Sequence, residues 1–162
     1  MRFGGFPNPV NEKAARVVAA AVLALSVATL ASGAYWIAAV MAAGFAARVA
    51  AGPRFSPLGL IATRVIAPRL GPPRLVPGPP KRFAQALGLV MTTAIALIGF
   101  VAGAHALADV GLAMMIVAAG LESGLGYCVG CKIFGLCMRA GLIPESVCLE
   151  CADVTLRRAA AT

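Results

Sequence analysis

The chain has 162 residues, of which 60% are hydrophobic and only 12% are charged. A water-soluble domain of this size cannot cover so much apolar surface with so few charges, which excludes an ordinary soluble globular protein. The formal net charge of +8 would suit a nucleic-acid partner, but the basic residues lie between apolar runs and form no stripe with aromatic residues. We therefore expect an integral membrane protein that does not bind nucleic acid.

Four apolar runs are long enough to cross a bilayer, which takes about 20 residues. They cover residues 14–32, 34–51, 83–103 and 107–127. Asn11 precedes the first run and suits the N-cap position of a helix. Because the first run leads straight into the second, we interpret it as a retained span and not as a cleaved signal peptide. The very short connections within each pair of runs predict two antiparallel hairpins.

The 14 Lys and Arg residues all fall on one side of this arrangement, and the two hairpin turns carry none. By the positive-inside rule, both termini, the linker 52–82 and the Cys-rich tail 128–162 are predicted to lie in the cytoplasm. We expect Arg48, near the end of the second run, to extend to this basic surface, where anionic lipid headgroups of the bilayer would bind.

A shift of 72 residues brings the two halves of the chain into weak register. Gly52-Pro-Arg-Phe-Ser-Pro-Leu-Gly59 then lies over Gly124-Leu-Gly-Tyr-Cys-Val-Gly-Cys131. Two spans per half predict a parallel pseudo-repeat about an axis along the membrane normal, although chance similarity between two Ala- and Gly-rich hairpins is the alternative. In each half the aromatic residue is followed by a basic amphipathic segment, which predicts a short interfacial helix on the cytoplasmic side. The predicted fold is a single all-α membrane domain over residues 1–162.

Two smaller patterns bear on packing and on the linker. The proline-rich stretch 72–80 is predicted to be extended and not helical. The pairs Gly99/Gly103 and Gly120/Gly124 have the GxxxG spacing that permits close approach of helices within a membrane bundle.

The motif Cys128-Val-Gly-Cys131 directly follows the fourth run. In one interpretation Cys128 begins a helix, Gly130 gives the turn its freedom, and the helix N-terminus with nearby Lys132 stabilises a thiolate. Cys128 would then attack a disulfide or accept a sulfane sulfur, and Cys131 would resolve the mixed intermediate. Thiols on the cytoplasmic side are normally kept reduced, and this chemistry requires no cofactor.

A second pair, Cys148-Leu-Glu-Cys151, follows sixteen residues after the first. Two Cys-x2-Cys pairs at this spacing also suit a structural zinc site, and spacing alone slightly favours a metal held by all four cysteines. Alternatively Cys148 and Cys151 close on each other or relay electrons to the first pair. Cys137 is interpreted as a small core residue in either case.

Glu122 lies inside the fourth run, less than two helical turns before Cys128. A carboxylate facing lipid is costly, so it should face the bundle and have a partner there. It could transfer a proton during thiol exchange. Alternatively it is structural, either paired with a linker Arg or hydrogen-bonded to one of three hydroxyl residues, Ser123, Thr92 or Thr93.

Several motifs together resemble a known family. They are Pro-Asn-Pro-Val-Asn at residues 7–11, the segment 52–59, Arg-Leu-Gly-Pro-Pro at 69–73, Pro-Pro-Lys-Arg-Phe-Ala-Gln at 79–85, and Leu-Glu at 121–122 with Gly-Tyr-Cys-Val-Gly-Cys at 126–131. They resemble the bacterial membrane-protein family catalogued as domain of unknown function 4395. The resemblance covers nearly the whole chain and implies a small polytopic inner-membrane protein.

The family's Cys-x-Gly-Cys motif corresponds to Cys128 and Cys131, and its acidic position corresponds to Glu122. In the family the second cysteine pair belongs to only some members, which shifts our preference from a metal toward thiol chemistry. The resemblance also implies thioredoxin-like proteins or sulfurtransferases as cytoplasmic partners.

The predicted function is thus exchange of electrons or sulfane sulfur through the Cys128–Cys131 dithiol, with Glu122 as proton-transfer residue. The first alternative is a non-enzymatic membrane protein with a structural zinc bound by Cys128, Cys131, Cys148 and Cys151. The second is a small transporter that uses the pseudo-twofold axis, with Glu122 as coupling residue.

Overall fold

Helices account for most of residues 6–152, the part of the chain that this computed structural model describes. Seven α-helices lie within those residues: α1 (Glu12–Ser32), α2 (Trp36–Ala51), α3 (Pro57–Ile61), α4 (Gly78–Ala96), α5 (His105–Leu125), α6 (Val129–Arg139) and α7 (Leu149–Ala152). Further helical turns extend α3 through Ala62–Ile66 and Ala67–Leu70, and α4 through Leu97–Val101. Single 3₁₀ turns lie at Gly52–Phe55 and Glu145–Val147.

Within the described residues, four helices are long and apolar enough to cross a membrane: Glu12–Ser32, Trp36–Leu70, Gly78–Val101 and His105–Leu125. The predicted fold class, an all-α membrane protein, is therefore confirmed. The second helical stretch is longer than expected, because α3 and its extensions continue from α2 after a 3₁₀ turn.

The ends of α1 follow from two residues with fixed preferences. Asn11 is the N-cap, and its side chain accepts a hydrogen bond from the backbone N–H of Lys13 at 3.1 Å, as predicted. Gly33 ends the helix with φ 67°, in the left-handed region that a side chain disfavours. A sharp turn toward α2 is therefore available directly after Ser32.

The predicted extended linker is confirmed only in part. Leu75–Val76 (β2) pairs antiparallel with Val10–Asn11 (β1), an interaction that the sequence analysis did not predict. The prediction that residues 78–80 are extended was wrong, because α4 begins at Gly78. Pro79 and Pro80 fit its first turn, where backbone N–H groups have no intrahelical acceptor and proline's fixed φ suits the helix.

The two hairpins are α1 with α2 and α4 with α5. Each of these helices packs mainly against a helix of the other hairpin and less against the helix of its own hairpin. The chief partner of α1 is α5, that of α2 is α4, and α6 packs against α4. The core between them consists of apolar side chains, notably Val18, Val22, Tyr35, Met41, Phe45, Ile95, Leu112 and Met115. At the turn side of the bundle the Tyr35 hydroxyl donates to Asp109 Oδ1 at 2.7 Å, and the Tyr35 ring stacks on His105.

Of the two GxxxG pairs, one glycine lies at a close contact. A Cβ added at Gly99 would lie 2.5 Å from Cδ1 of Tyr35 and 3.0 Å from Cβ of Ala108. A Cβ added at Gly120 or Gly124 would meet no atom within 4 Å. Close approach of the helices therefore uses Gly99 and not the second pair.

Gly99→Ala is expected to destabilise the protein by about 1–3 kcal/mol, because Tyr35 is held on its other sides and cannot move away from the new methyl group. Thermal unfolding of the purified protein in detergent measures the effect. Gly120→Ala is the matched control, and it should leave the melting temperature unchanged or raise it, since alanine favours the helix. Equal losses for both variants would contradict this account of the packing.

Candidate functional site

Cys128 stands at the start of α6, as the sequence predicted. Gly126 ends α5 with φ 68°, and the chain turns there before α6 begins at Val129. Cys128 is the N-cap, and its Sγ accepts a hydrogen bond from the backbone N–H of Cys131 at 3.4 Å. The sulfur thus lies at the positive end of the helix, where a thiolate is stabilised.

The two cysteines of this turn differ in exposure and in acidity. Both are free thiols, with Cys128 buried and Cys131 half-buried. A hydrogen bond from the Cys131 thiol lowers the pKa of Cys128, against opposing contributions from burial and from Glu122; Lys81 lowers it further. The same hydrogen bond, together with burial, raises the pKa of Cys131. Cys128 is therefore the sulfur that ionises first.

Glu122 has a partner inside the bundle. Lys81 Nζ lies 2.7 Å from Glu122 Oε1, and the two side chains are only 8% and 18% exposed. In the described structure none of the three hydroxyls suggested as partners bonds to Glu122. Thr92 and Ser123 donate to backbone carbonyls of their own helices, and Thr93 makes no hydrogen bond to Glu122. The cation is a lysine in the second turn of α4, not a linker arginine.

Lys81 was missed because the third run was predicted to begin at residue 83. Its place in the helix follows from the entry of Pro79 and Pro80 into the first turn of α4. A signal was nevertheless present, since an intramembrane carboxylate requires a cation and Lys81 lies two residues before the apolar run. The residue expected to assist the thiolate, Lys132, instead lies 5.4 Å above the Tyr127 ring.

Gly130 brings α6 close to α4. A Cβ at this position would lie 2.6 Å from Cβ and 2.7 Å from Cα of Ala84, which is one turn beyond Lys81. The predicted role of Gly130 in freeing the turn was wrong, since it is not among the glycines with positive φ. Phe83 and Phe134 pack with ring centroids 5.6 Å apart at the same helix contact. The thiol turn is therefore fixed next to Lys81 by helix packing.

The four cysteines proposed as zinc ligands are not gathered. Cys148 and Cys151 are joined by a disulfide, although reduced thiols were expected on this side. Among residues 6–152, no group of three or more His, Cys, Asp or Glu side chains is arranged to hold a metal ion. Cys137 is a free thiol, half-buried on α6. The structure thus assembles Cys128, Cys131 and Glu122, with Lys81 added to them.

A family model matches residues 10–139. The chain belongs to the family described as Domain of unknown function (DUF4395). The resemblance noted in the sequence is thereby confirmed. The DUF4395 match contains Lys81, Glu122, Cys128 and Cys131 and ends before Cys148 and Cys151. No curated protein and no solved structure matches the chain.

The acidity of Cys128 should depend on the ion pair beside it. In the wild-type protein, alkylation of Cys128 is expected to titrate below the ordinary cysteine pKa of about 8.5. Lys81→Met should raise the pKa of Cys128 by removing a charge that stabilises the thiolate. Glu122→Gln should lower it, because the amide oxygen of glutamine can still hold Lys81 while the charge that repels the thiolate is removed. Iodoacetamide alkylation across a pH series, followed at Cys128 by mass spectrometry, measures each value.

Lys132→Met is the matched control for Lys81→Met, because it removes an equal charge that lies over Tyr127. This variant is expected to leave the pKa of Cys128 unchanged. If the pKa of Cys128 rose in Lys132→Met and stayed constant in Lys81→Met, Lys132 and not Lys81 would be the cation that stabilises the thiolate.

Proposed function

We propose that this DUF4395 protein carries out thiol–disulfide or sulfane-sulfur exchange with a soluble cytoplasmic protein through Cys128 and Cys131. The partner presents either a disulfide or a persulfide, since both offer an electrophilic sulfur to a cysteine. The observation that carries the proposal is the N-cap hydrogen bond from the Cys131 amide to Cys128 Sγ, next to the buried Lys81–Glu122 pair. This arrangement gives two neighbouring thiols, one of which ionises more readily than the other, and a thiolate next to a second thiol suits dithiol exchange.

Exposure divides the two roles between the cysteines. A partner sulfur meets Cys131 first, because Cys131 is half-buried while Cys128 is only 7% exposed. Cys128, with its lowered pKa, is the resolving thiolate below it. The order of attack is therefore the reverse of the order predicted from the sequence, in which Cys128 attacked first.

The exchange proceeds in two balanced steps. As the Cys131 proton passes along its hydrogen bond to the Cys128 thiolate, Cys131 Sγ attacks the partner disulfide, and one new S–S bond forms as the old one breaks. The departing partner thiolate takes that proton from Cys128, which leaves Cys128 as a thiolate again. The Cys128 thiolate then attacks Cys131 Sγ and displaces the second partner thiolate, which takes a proton from water. The partner is reduced to two thiols, and Cys128–Cys131 is left as a disulfide. A second, dithiol-bearing protein returns the two electrons by the reverse sequence.

A persulfide donor follows the same course with one difference. Cys131 takes the outer sulfur from the donor cysteine and becomes a persulfide, while its proton goes to the donor thiolate. Cys128 then displaces that sulfur as hydrosulfide and forms the same Cys128–Cys131 disulfide. Neither route needs a cofactor, and the partner classes are thioredoxin-like proteins and sulfurtransferases.

Glu122 is a positioning residue in this scheme. Its carboxylate holds the Lys81 ammonium at 2.7 Å, and Lys81 in turn favours the Cys128 thiolate. A lysine that lost this partner would be free to turn toward water. The proposal therefore gives Glu122 an indirect effect on the thiols, and not the direct proton transfer predicted from the sequence.

A pseudo-repeat of the scaffold is part of the proposal. Ser56 is the N-cap of α3, and its Oγ accepts from the Gly59 backbone N–H at 3.3 Å. This is the same bond that Cys128 accepts from Cys131, at positions 72 residues earlier in the chain. A twofold operation that relates α1 to α4 and α2 to α5 would also exchange the α1–α5 contact with the α2–α4 contact, and these are the two largest helix contacts. The Cys128 thiol would then occupy the position in one half that the Ser56 hydroxyl occupies in the other.

Removal of the resolving thiol should trap the intermediate. Cys128→Ser is expected to accumulate a mixed disulfide or persulfide on Cys131 in cells, because nothing then displaces the partner from Cys131. Non-reducing electrophoresis and mass spectrometry of the purified protein detect the adduct. Cys131→Ser should accumulate none, and Cys137→Ser, which removes a free thiol outside the pair, should behave as the wild type.

An adduct on Cys128 in the Cys131→Ser variant would restore the opposite order of attack. Absence of adducts in both variants, with stoichiometric zinc and no alkylatable thiol in protein purified without chelators, would favour the four-cysteine zinc alternative. Proton-coupled flux lost in Glu122→Gln but kept in Cys128→Ser would favour the transporter.

We also propose that the thiol pair faces the cytoplasm of a bacterial inner membrane, with both chain termini on the same side. Support comes from the basic residues, which lie away from the two hairpin turns. A membrane-impermeant maleimide should leave Cys131 unlabelled in intact cells and label it after permeabilisation. Ala104→Cys, at the exposed turn before α5, should be labelled in intact cells. Labelling of Cys131 in intact cells would contradict this orientation and place the thiol pair on the outer side of the membrane.

A further inference from the structure

Arg48 lies inside the bundle and not at the membrane surface, where the sequence analysis placed it. The residue is only 6% exposed, in the last turn of α2. Its Nε donates to Gln85 Oε1 at 2.7 Å, and its Nη1 donates to Ser56 Oγ at 3.1 Å. The guanidinium also lies 4.5 Å from the centroid of the Phe45 ring. Arg48 is thus held in a fixed position by three neighbours from three segments.

None of these neighbours carries a negative charge. Within residues 6–152, the two ion pairs are Glu12 with Arg74 and Lys81 with Glu122, so Arg48 is paired with no carboxylate there. The carboxyl end of α2 supplies about half of a negative charge at most. A buried cation without a full counter-charge is strongly unfavourable in a low dielectric. The position therefore calls for an anion from another source.

A small cavity adjoins the guanidinium. It has a volume of about 50 Å³, and eight of its twelve lining residues are apolar or glycine; the polar ones are Arg48, Thr63, Lys81 and Gln85. That volume exceeds the roughly 10–15 Å³ that one water molecule needs, but it excludes a nucleotide or a peptide. Two of the four polar side chains are cationic, and no carboxylate is among the lining residues.

The hydrogen-bonding groups at this cavity are mostly donors. Since Gln85 Oε1 accepts from Arg48, its amide NH₂ is the group that remains to donate. The guanidinium has five N–H groups in a plane, which suits both a spherical halide and a planar oxyanion. Lys81 brings a second charge, although Glu122 neutralises most of it. The few polar groups of this mainly apolar cavity therefore match the chemistry of an anion and not that of a cation.

We propose that this cavity binds one small monovalent inorganic anion, such as chloride or nitrate, with Arg48 as the principal ligand and Gln85 and Lys81 beside it. The anion completes the charge balance of the bundle between α2, α3 and α4. Lys81 is shared with the proposed thiol site, but the principal ligand Arg48 and Gln85 take no part in the thiol exchange, so failure of that exchange would not affect this proposal.

Chloride binding is measured by the ³⁵Cl NMR line width of chloride added to the full-length protein in detergent micelles. We expect excess broadening that saturates with chloride and that nitrate removes by competition, whereas gluconate, which is too large for the cavity, does not. Removal by nitrate at a lower concentration than that of the chloride present would identify a planar oxyanion as the preferred ligand. The absence of any saturable broadening or nitrate competition would overturn the proposal and leave water as the occupant.

Variants at Arg48 connect the signal to this cavity. Arg48→Gln should abolish the broadening, and Arg48→Lys should weaken binding at least tenfold, because an ammonium cannot hold Gln85, Ser56 and an anion together. Arg64→Gln is the matched control, since it removes an equal charge from an exposed position, and it should bind as the wild type. If Arg48→Gln does not fold, Arg48→Lys decides: wild-type affinity in that variant would contradict the assignment, as would undiminished broadening in a folded Arg48→Gln protein.

Discussion

The ion pair between Lys81 and Glu122 is the interaction on which the arrangement of this site depends. α4 packs mainly on α2, and α5 packs mainly on α1, so a bond between α4 and α5 joins two units that would otherwise share a smaller contact. Both charges are largely removed from water. Loss of either partner would therefore leave an uncompensated charge inside the bundle, which is a far greater penalty than the loss of a surface pair. The thiol turn is packed against α4 one helical turn from this pair.

Basic residues in this protein also make contacts between helix ends. Arg16 donates from Nε to the Ser123 carbonyl at 3.1 Å and from Nη2 to the Gly124 carbonyl at 2.6 Å, at the end of α5. Arg82 Nε donates to the Val49 carbonyl near the end of α2. Cations at these positions satisfy carbonyls that have no intrahelical donor and oppose the negative end of the helix dipole. Some of the basic residues from which a cytoplasmic side was predicted thus also link helix ends to one another.

The elements that could be predicted from sequence are those set by local preference. Hydropathy located the four long helices, Asn11 marked the start of α1, and Cys128 marked the start of α6, because each depends on neighbours in the chain. Lys81 and Arg48 were misjudged because their surroundings come from distant segments. A positive charge at the end of an apolar run has the same local pattern whether it points to lipid headgroups or into the bundle. The β1–β2 pairing escaped for the same reason, since two-residue strands have no periodicity to detect.

That short β pair has a consequence for the order in which the protein can be assembled. Val10 is aligned with Val76, and Asn8 Oδ1 accepts from the Gly78 backbone N–H at 2.8 Å. The segment before the first helix thus finds its partners only after more than sixty further residues have left the ribosome. Until then the residues before α1 lack these hydrogen-bond partners. The segment that starts the first half of the bundle is therefore held in place by the segment that starts the second half.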